Sequence, residues 1–285
     1  MEIIQRILPM KEASKKARSD GKILGFVPTL GSLHEGHLSL VREARKMSDV
    51  VIVSVFVNPT QFAPGEDLDK YPRDATRDAE LLSSENVDYI FFAKAEEMYT
   101  PNFHTYVKVR ELSDRLCGET RPTHFEGVTT VVMKLFHIMD PHFAFFGQKD
   151  AQQLVIIRRM VRDMNMDVEI VRCPIVREQD GLAMSSRNAF LSPEERAAAP
   201  VIYRALEHAL ARIEEGERKS KTILKEIRQI IEAEPLARID YAAATDLIEL
   251  KDVKNLKGKC LIAVAVYFGS TRLIDNIIVD TESPR

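Results

Sequence analysis

The chain has 285 residues, of which 45% are hydrophobic and 29% are charged, and its formal net charge is -3. A chain of this length and composition can bury a large apolar core, which excludes an intrinsically disordered protein, a collagen and a small disulfide scaffold. The near balance of acidic and basic residues argues against bulk-charge binding of nucleic acid, so we expect no nucleic-acid partner.

Cysteine usage and apolar runs indicate a cytoplasmic protein. Cys117, Cys173 and Cys260 lie far apart and form no CxxC pair. Scattered thiols without metal-ligand spacing are typical of reduced, buried cysteines in the cytosol. The longest apolar run, Val50–Val57, is far shorter than the roughly 20 residues that span a bilayer. No export signal opens the chain, so we expect no membrane partner.

Between Ile23 and Val171, short apolar runs alternate with longer amphipathic stretches. The predicted strands are Ile23–Val27, Val50–Val57, Asp88–Phe92, His142–Phe146 and Val168–Val171. The predicted helices are His37–Met47, Arg73–Ser84, Val128–Met139 and Gln152–Met164. Such alternation is typical of an α/β fold, and it predicts a Rossmann-like doubly wound parallel sheet.

After Pro174 the pattern changes to helices followed by consecutive strands. Ser192 and Glu195 form a capping box, which predicts a helix that continues to Glu215 and stops at Gly216. The further predicted elements are a helix over Lys219–Glu232 and strands over Ile239–Thr245, Cys260–Phe268 and Leu273–Val279, with a hairpin turn at Gly269-Ser270. We therefore predict two domains, residues 1–175 and a smaller α+β C-terminal domain over residues 176–285.

The first chemically informative segment is Pro28–Leu40 (PTLGSLHEGHLSL), where the first predicted strand gives way to a helix. Its glycines are spaced as in a phosphate-binding P-loop, but His37-Leu38 replaces the Lys-Ser/Thr pair, so that interpretation fails. His34 and His37 lie on one side of the first helical turn, where backbone N–H groups favour phosphate. A zinc site at this histidine pair lacks an obvious third ligand. Helix capping can account for one of the two histidines, and we do not expect it to account for both.

Amides follow the second predicted strand. In Asn58–Phe62 (NPTQF), the Asn and Gln side chains can bind a small polar substrate, and Phe62 can exclude water from it. A loop-stabilising Asn-Pro turn is an alternative that accounts for Asn58 but not for Gln61.

Two later segments carry further polar groups. Lys149 and Asp150 follow the fourth predicted strand and suit a polyphosphate and a ribose hydroxyl, although Asp150 could equally cap the next helix. Met184–Asn188 (MSSRN) combines two hydroxyls with an arginine and suits a mobile phosphate clamp. The alternative for this segment is a polar hinge. We expect the clamp to close over nucleotide, with Gly181 as part of its hinge.

Six motifs together resemble one enzyme family. They are PTLGSLHEGH, FVNPTQF, YPRD, THFEGVTTVV, FGQKDAQQ and DGLAMSSRN. Their order and spacing resemble those of the pantoate–β-alanine ligases, also called pantothenate synthetases. HEGH also resembles the HxGH signature of class I aminoacyl-tRNA synthetases and nucleotidylyltransferases, and MSSRN resembles a variant of the synthetases' KMSKS motif.

The resemblance implies an ATP-dependent ligase that joins pantoate to β-alanine through a pantoyl adenylate and releases AMP and pyrophosphate. It implies catalytic roles for His34, His37, Lys149, Ser186 and Arg187, with His37 as the proton donor. It implies that ATP is bound by Leu30, Gly31, Ser32, Leu33, His34, Glu35, Gly36, His37, Gly147, Gln148, Lys149, Asp150, Val176, Met184, Ser185, Ser186 and Arg187. Gln61 and Gln153 are implied as pantoate ligands, with Gln61 also contacting β-alanine.

The chain departs from the family pattern at Leu30, where Met is common, and at Ser32, where Ala is common. The apolar contact at Leu30 keeps a similar volume and should cost little. The acidic residues that follow YPR are Asp74, Asp78 and Glu80. Because Mg²⁺ can arrive on ATP with its waters, we assign no protein ligand to the metal. We also expect no tightly bound organic cofactor.

The resemblance further implies a homodimer. Two alternative functions remain open from the residues: a nucleotidylyltransferase that shares only the first motif, and a non-catalytic, tRNA-binding fragment of a synthetase. The absence of an appended basic domain argues against the second alternative.

Overall fold

The computed structural model describes residues 1–63, 65–66 and 68–282. The contacts within the chain divide it into two compact units. The first unit comprises Met1–Asp114, Gly118–Gln148 and Gln153–Pro174. The second unit comprises the chain from Ile175 onward together with two short earlier segments, Arg115–Cys117 and Lys149–Gln152. The segment that contains Lys149 therefore groups with the C-terminal part of the chain.

A parallel sheet forms the centre of the first unit. Its strands are β1 (Glu2–Ile4), β2 (Leu24–Thr29), β3 (Val50–Val55), β4 (Tyr89–Phe91), β5 (Phe143–Gly147) and β6 (Glu169–Cys173). Their spatial order is β1-β4-β3-β2-β5-β6, which confirms the doubly wound topology. The order reverses between β2 and β5, and ligands of such sheets bind beside the carboxyl ends of the strands at this reversal.

Helices connect the strands. In chain order they are α1 (Ile7–Ser19), α2 (Glu35–Met47), α3 (Ala75–Ser84), α4 (Ala95–Met98), α5 (Cys117–Thr120), α6 (His124–Met139) and α7 (Ala151–Asp163). The predicted helices are confirmed, and their observed ends agree with prediction more closely than their starts. The ends follow the loss of the apolar period, whereas the starts depend on capping contacts that the period does not encode.

Both faces of the sheet are covered. Phe26 and Val27 are consecutive residues of β2, so their side chains point to opposite faces. Phe26 packs edge-on against Phe136 of α6, with the ring centroids 6.3 Å apart. Val27 belongs to a separate cluster that includes Val41 of α2. This arrangement explains why the central strands are apolar without alternation.

The pattern did not indicate β1 and α1. β1 has only three residues and pairs with β4 at Ile3 and Ile90, so it is too short to show a period. α1 buries only Met10, Ser14 and Ala17 along its length. This narrow stripe contains two small residues, and it gives little apolar signal among the charged positions around it.

The second unit packs helices on an antiparallel sheet. Its elements are α8 (Pro193–Ala198), α9 (Val201–Glu214), α10 (Ser220–Glu232), β7 (Ala237–Asp246), β8 (Lys259–Phe268) and β9 (Thr271–Asp280). The strands lie in the order β7-β8-β9, and Gly269 with φ 55° takes the predicted hairpin turn. The single helix predicted from Ser192 to Glu215 is wrong, because Pro200 interrupts it. Proline lacks the N–H that would continue the helix.

Candidate functional site

Three of the predicted motifs follow neighbouring strands of the parallel sheet. The His loop (Leu30–His37) follows β2, the Gln turn (Asn58–Phe62) lies just beyond β3, and Gly147 ends β5. Because β3, β2 and β5 are adjacent and parallel, these three segments lie along the same edge of the sheet. The fold thus brings together residues that are more than a hundred positions apart in sequence.

The His loop begins with two residues in the left-handed region, Gly31 at φ 83° and Ser32 at φ 52°. This turn points the N–H groups of Ser32 and Leu33 toward Asp78 of α3, whose carboxylate accepts both, at 2.9 and 2.8 Å. Burial raises the pKa of Asp78, and the two N–H groups partly offset that rise. Asp78 therefore holds the backbone of the loop.

His34 and His37 cap α2 reciprocally. Nδ1 of His34 accepts from the N–H of Gly36 at 3.1 Å, and Nδ1 of His37 accepts from the N–H of His34 at 3.3 Å. The expectation that capping accounts for only one histidine is therefore wrong. The spacing of three residues places His37 at the position where a capping box normally has Glu or Gln. Since Nδ1 accepts in both neutral rings, both carry their proton on Nε2.

An arginine pairs with the acidic residue of the HEGH motif. Glu35 opens α2 and pairs with Arg42, further along the same helix, which also pairs with Glu85. The two carboxylates raise the pKa of Arg42 further above its ordinary value. Arg42 thus offsets part of the negative charge of Glu35 and ties the start of α2 to Glu85.

The Gln turn is a short 3₁₀ helix over Pro59–Gln61 with Asn58 as its cap. Asn58 is fully buried, and Gln61 is 7% exposed. Phe62 is also buried and packs edge-on against Tyr71, with the ring centroids 6.0 Å apart. Oδ1 of Asn58 accepts from the N–H of Thr60 at 3.4 Å, so Asn58 stabilises the turn, as the alternative interpretation holds. Nδ2 of Asn58 donates to Oε1 of Gln61 at 3.3 Å and thereby orients the side chain of Gln61.

The start of α6 packs on the backbone of the Gln turn. The carbonyl of Gln61 lies 2.8 Å from Nδ1 of His124 and 3.4 Å from a nitrogen of Arg121. A Cβ at Gly127 would lie 2.3 Å from the carbonyl oxygen of Thr60 and 2.6 Å from the nitrogen of Gln61. No role was assigned to these residues from the sequence, although the THFEGV motif contains two of them.

The β5 segment belongs to both units. Gly147 and Gln148 lie in the first unit, as does Gln153 of α7, whereas Lys149 and Asp150 group with the second. Gln148–Asp150 forms a 3₁₀ turn that leads into α7, with Asp150 exposed at its end. The carbonyl of Lys149 accepts a hydrogen bond from Nδ2 of Asn276 on β9 at 3.0 Å, which fixes the backbone of that turn.

The segment before the Ser loop (Met184–Asn188) is a braced hairpin. The N–H of Met184 donates to the carbonyl of Val176 at 3.0 Å, and Arg177 donates to Gly181 and pairs with the buried Asp275. Gly181 has φ 90°, and a Cβ there would lie 2.0 Å from the ring of Tyr203. Gly181 thus takes a conformation that L side chains rarely adopt and packs against Tyr203, and its role as a hinge stays a prediction.

The Ser loop itself is a capped turn. Ser185 accepts from the N–H of Arg187 at 3.3 Å and opens a 3₁₀ helix over Ser186–Phe190. Asn188 donates to Glu178 at 2.7 Å, and Arg196 pairs with the same carboxylate. Ser186 and Arg187 thus follow a backbone that several side chains hold in place.

The acidic residues after YPR do not form a metal cluster. Asp74 caps α3, while both oxygens of Asp78 accept N–H groups of the His loop. Over residues 1–63, 65–66 and 68–282, no three His, Cys, Asp or Glu side chains come together as a metal site would require. Within the same ranges, no helix combines the length and apolar character needed to cross a bilayer.

Comparison with known proteins gives one consistent result. A family model for pantoate–β-alanine ligase matches residues 2–278. A pantothenate synthetase of Caldicellulosiruptor bescii is 52% identical over 282 residues, which cover 99% of this chain and 100% of that protein. The structure of pantothenate synthetase from Thermus thermophilus has a TM-score of 0.92 at 43% identity, covering 97% of this chain and 99% of that one. A Francisella tularensis pantoate–β-alanine ligase, complexed with beta-gamma ATP and β-alanine, has a TM-score of 0.79 at 32% identity, covering 100% of this chain and 99% of that one.

Proposed function

The chain belongs to the pantoate–β-alanine ligase family, and on that basis we propose that it joins pantoate to β-alanine with ATP as the energy source. The match over nearly the whole chain supports this activity, as does the Francisella relative solved with an ATP compound and β-alanine. The substrates are then three small molecules, with Mg²⁺ carried on ATP. A homodimer stays a prediction from the resemblance, and a cytoplasmic location stays a prediction from cysteine usage and apolar runs.

The reaction has two steps. A carboxylate oxygen of pantoate attacks the α-phosphorus of ATP, the bond to the β-phosphate breaks, and pyrophosphate leaves. The amine of β-alanine then attacks the carbonyl carbon of pantoyl adenylate, loses a proton and displaces AMP. Negative charge builds on phosphoryl oxygens in the first step, so the protein needs hydrogen-bond donors and cations placed in advance.

The observation that carries the proposal is the reciprocal cap of His34 and His37. Because both Nδ1 atoms accept backbone N–H groups, both Nε2 atoms carry protons and serve as donors. The rings stand 4.1 Å apart at the positive end of α2. We assign these donors to the phosphate oxygens of ATP. We assign the rest of the nucleotide contact to the backbone of the His loop, from Leu30 to His37.

The amides of the first unit suit the organic substrates. Gln61 is buried at the carboxyl edge of the sheet, and its backbone is held by the start of α6. Gln153 lies in the first turns of α7, just after the strand that Gly147 ends. We assign pantoate to both glutamines and β-alanine to Gln61.

The β5 segment and the stretch from Val176 to Arg187 supply the remaining nucleotide ligands. We assign Lys149 and Arg187 to the phosphates as cations, and Ser185 and Ser186 as hydroxyl donors. Gly147, Gln148 and Asp150 hold the nucleotide, Val176 contacts the base, and Met184 closes over the phosphates with the rest of the Ser loop. The ordered backbone at Lys149 and in the Ser loop supports these assignments, since a preorganised cation costs less to place.

One assay tests the proposed reaction. The wild-type protein is incubated with MgATP, pantoate and β-alanine, and AMP, pyrophosphate and pantothenate are measured. We expect continuous release of AMP only when both pantoate and β-alanine are present. If a nucleotide is transferred but β-alanine is never incorporated into a product, the protein is a nucleotidylyltransferase. If the protein binds tRNA and forms no AMP, it is the synthetase fragment.

Variants of His37 then separate catalysis from capping. His37→Gln keeps an acceptor for the N–H of His34, because Gln is a normal residue at this position of a capping box. The Gln amide can still donate a hydrogen bond, but unlike the imidazole it cannot give up a proton, so we expect a loss of roughly 10²–10⁴ in kcat with little change in Tm. His37→Ala removes both features and should also destabilise α2. His208→Ala on the exposed face of α9 is the matched control and should retain full activity.

A further inference from the structure

We propose that Tyr99 is a positioning residue for substrate, acting through Asn58 to turn the amide of Gln61 so that Gln61 presents N–H donors and no acceptor. This inference rests on the proposed function and goes beyond it. Tyr99 lies outside the six motifs, and its contact with Asn58 decides which end of the Gln61 amide meets the substrate.

The first step is the orientation of the Asn58 amide, which its neighbours determine. The carbonyl oxygen of Gly127 can only accept, so the atom of Asn58 that lies 3.0 Å from it must be Nδ2. The backbone N–H of Thr60 can only donate, so the atom 3.4 Å from it must be Oδ1. The two constraints agree, and a flipped amide would violate both of them.

The orientation of Gln61 follows from that of Asn58. Nδ2 of Asn58 lies 3.3 Å from the side-chain amide of Gln61, and a donor there requires Oε1 of Gln61 as its partner. The carbonyl end of the Gln61 amide is therefore engaged inside the protein. Its NH₂ end is then the part that can meet a ligand, and this end can only donate.

Tyr99 supports this arrangement from the opposite side of Asn58. Its hydroxyl donates to Oδ1 of Asn58 at 2.8 Å, the shortest bond that this amide makes with a described group. The hydroxyl also lies 3.2 Å from that of Thr60, which itself donates to the same Oδ1 at 3.0 Å. Burial raises the pKa of Tyr99, so the hydroxyl keeps its proton at neutral pH.

Neighbouring side chains fix the ring of Tyr99 in the position from which its hydroxyl reaches Asn58. It contacts Phe56 and Phe103, with ring centroids 6.3 and 5.0 Å away, and Nζ of Lys134 lies 5.7 Å from its centre. Because neighbours on several sides confine the ring, the hydroxyl cannot follow a displaced Asn58. The tyrosine therefore acts as a rigid support for the chain of bonds that ends at Gln61.

The chemistry of the substrates fits a donor-only glutamine. Pantoate and β-alanine both carry carboxylate oxygens, which accept hydrogen bonds and cannot donate. A single NH₂ group has two protons and can serve one oxygen of each substrate. A Gln61 amide turned the other way would present a carbonyl oxygen, which could bind only the hydroxyl groups of pantoate or the amine of β-alanine and would repel both carboxylates.

The test compares Tyr99→Phe with the wild-type protein in the complete reaction. Loss of one hydroxyl that fixes a neutral amide should raise the KM for pantoate about three- to tenfold, with the KM for ATP unchanged. Tyr106→Phe is the matched control: it deletes the same atom from an exposed ring that contacts Phe103, and we expect wild-type constants. Tm is recorded for both variants.

A second variant tests the orientation of Gln61 independently of Tyr99. Gln61→Glu keeps the shape and the acceptor for Asn58 but replaces the donors by an oxygen, so pantoate saturation should be lost at concentrations about a hundredfold above the wild-type KM. Retained pantoate affinity in this variant would overturn the inference. So would a Tyr99→Phe protein with an unchanged pantoate KM, or one in which the KM values for ATP and pantoate rise equally. Failure of the wild-type protein to form pantothenate would instead refute the proposed function.

Discussion

Asp78 and Leu33 are joined by a hydrogen bond of 2.8 Å from the backbone N–H of Leu33 to the carboxylate of Asp78. The second oxygen of the same carboxylate accepts from Ser32, so one buried side chain holds two consecutive backbone groups of the His loop. These groups lie between the left-handed turn at Gly31 and the histidine pair. The position of both histidines therefore depends on a residue from another helix.

Asp78→Asn should weaken ATP turnover without unfolding the protein. The substitution turns one acceptor oxygen into an NH₂ group that faces a backbone N–H, and loss of a charged hydrogen bond is worth about 1.5–3 kcal/mol. We expect kcat/KM for ATP to fall about tenfold to a hundredfold in steady-state assays. Asp74→Asn is the control, since Asn caps a helix as well as Asp does. Equal effects of the two variants would show that the general acidity of α3 matters rather than the bonds to the loop.

Gly127→Ala should displace the Gln turn. A Cβ at this position would lie 2.3–2.6 Å from backbone atoms of Thr60 and Gln61, and backbone cannot move aside as a flexible side chain can. We expect a loss of about 1–3 kcal/mol in the free energy of unfolding and a raised KM for pantoate. Gly21→Ala is the control, because Gly21 has open space around it and only a left-handed φ of 73° to strain. A pantoate KM that stays at the wild-type value would contradict the packing argument.

The Glu66–Arg121 pair should contribute a pH-dependent part of stability. Burial raises the pKa of Glu66, but hydrogen bonds and charge from Arg121 outweigh it and hold the pKa below its ordinary value of 4.5. Because the pKa is lower in the folded state, the stabilisation is present above the unfolded value and is lost as pH falls through the folded value.

Urea unfolding of Glu66→Gln and the wild-type protein over about pH 3–6 measures this effect. The free-energy difference between the two proteins should be largest near neutral pH and should shrink toward acid. Exposed Glu12→Gln serves as the control and should give no such convergence. A difference that stays constant with pH would show that the pair does not titrate as described.

The Arg177–Asp275 pair should be strongly coupled. Both side chains are largely buried, at 18% and 3% exposure, and breaking a buried pair leaves one charge without compensation. Asp275→Asn and Arg177→Met should each lower the free energy of unfolding by about 3 kcal/mol, and the double variant should cost clearly less than the sum. The control is Asp180→Asn, whose pair with Arg196 is more exposed and should be worth under about 1 kcal/mol. Strict additivity would contradict the coupling.

Local pattern was sufficient for the elements that line the site. Val50–Val57 was predicted as a strand and Val50–Val55 is one, because a run of β-branched residues buried on both faces is visible in any short window. The C-terminal hairpin was equally clear from Gly269. The interruption at Pro200 was also visible locally and was overlooked in favour of the longer apolar period.

By itself the sequence determined the doubly wound sheet, the C-terminal hairpin and the segments that carry chemistry, since these depend on residue types within one turn or one strand. Only the tertiary structure decided that Asp78 holds the His loop from 45 residues away and that Tyr99 meets Asn58 across 41. No period or motif encodes such pairs, because they form only when a helix and a sheet edge pack together. The reciprocal histidine cap lies between these cases: its spacing is local, but which ring nitrogen faces the backbone was settled by the folded loop.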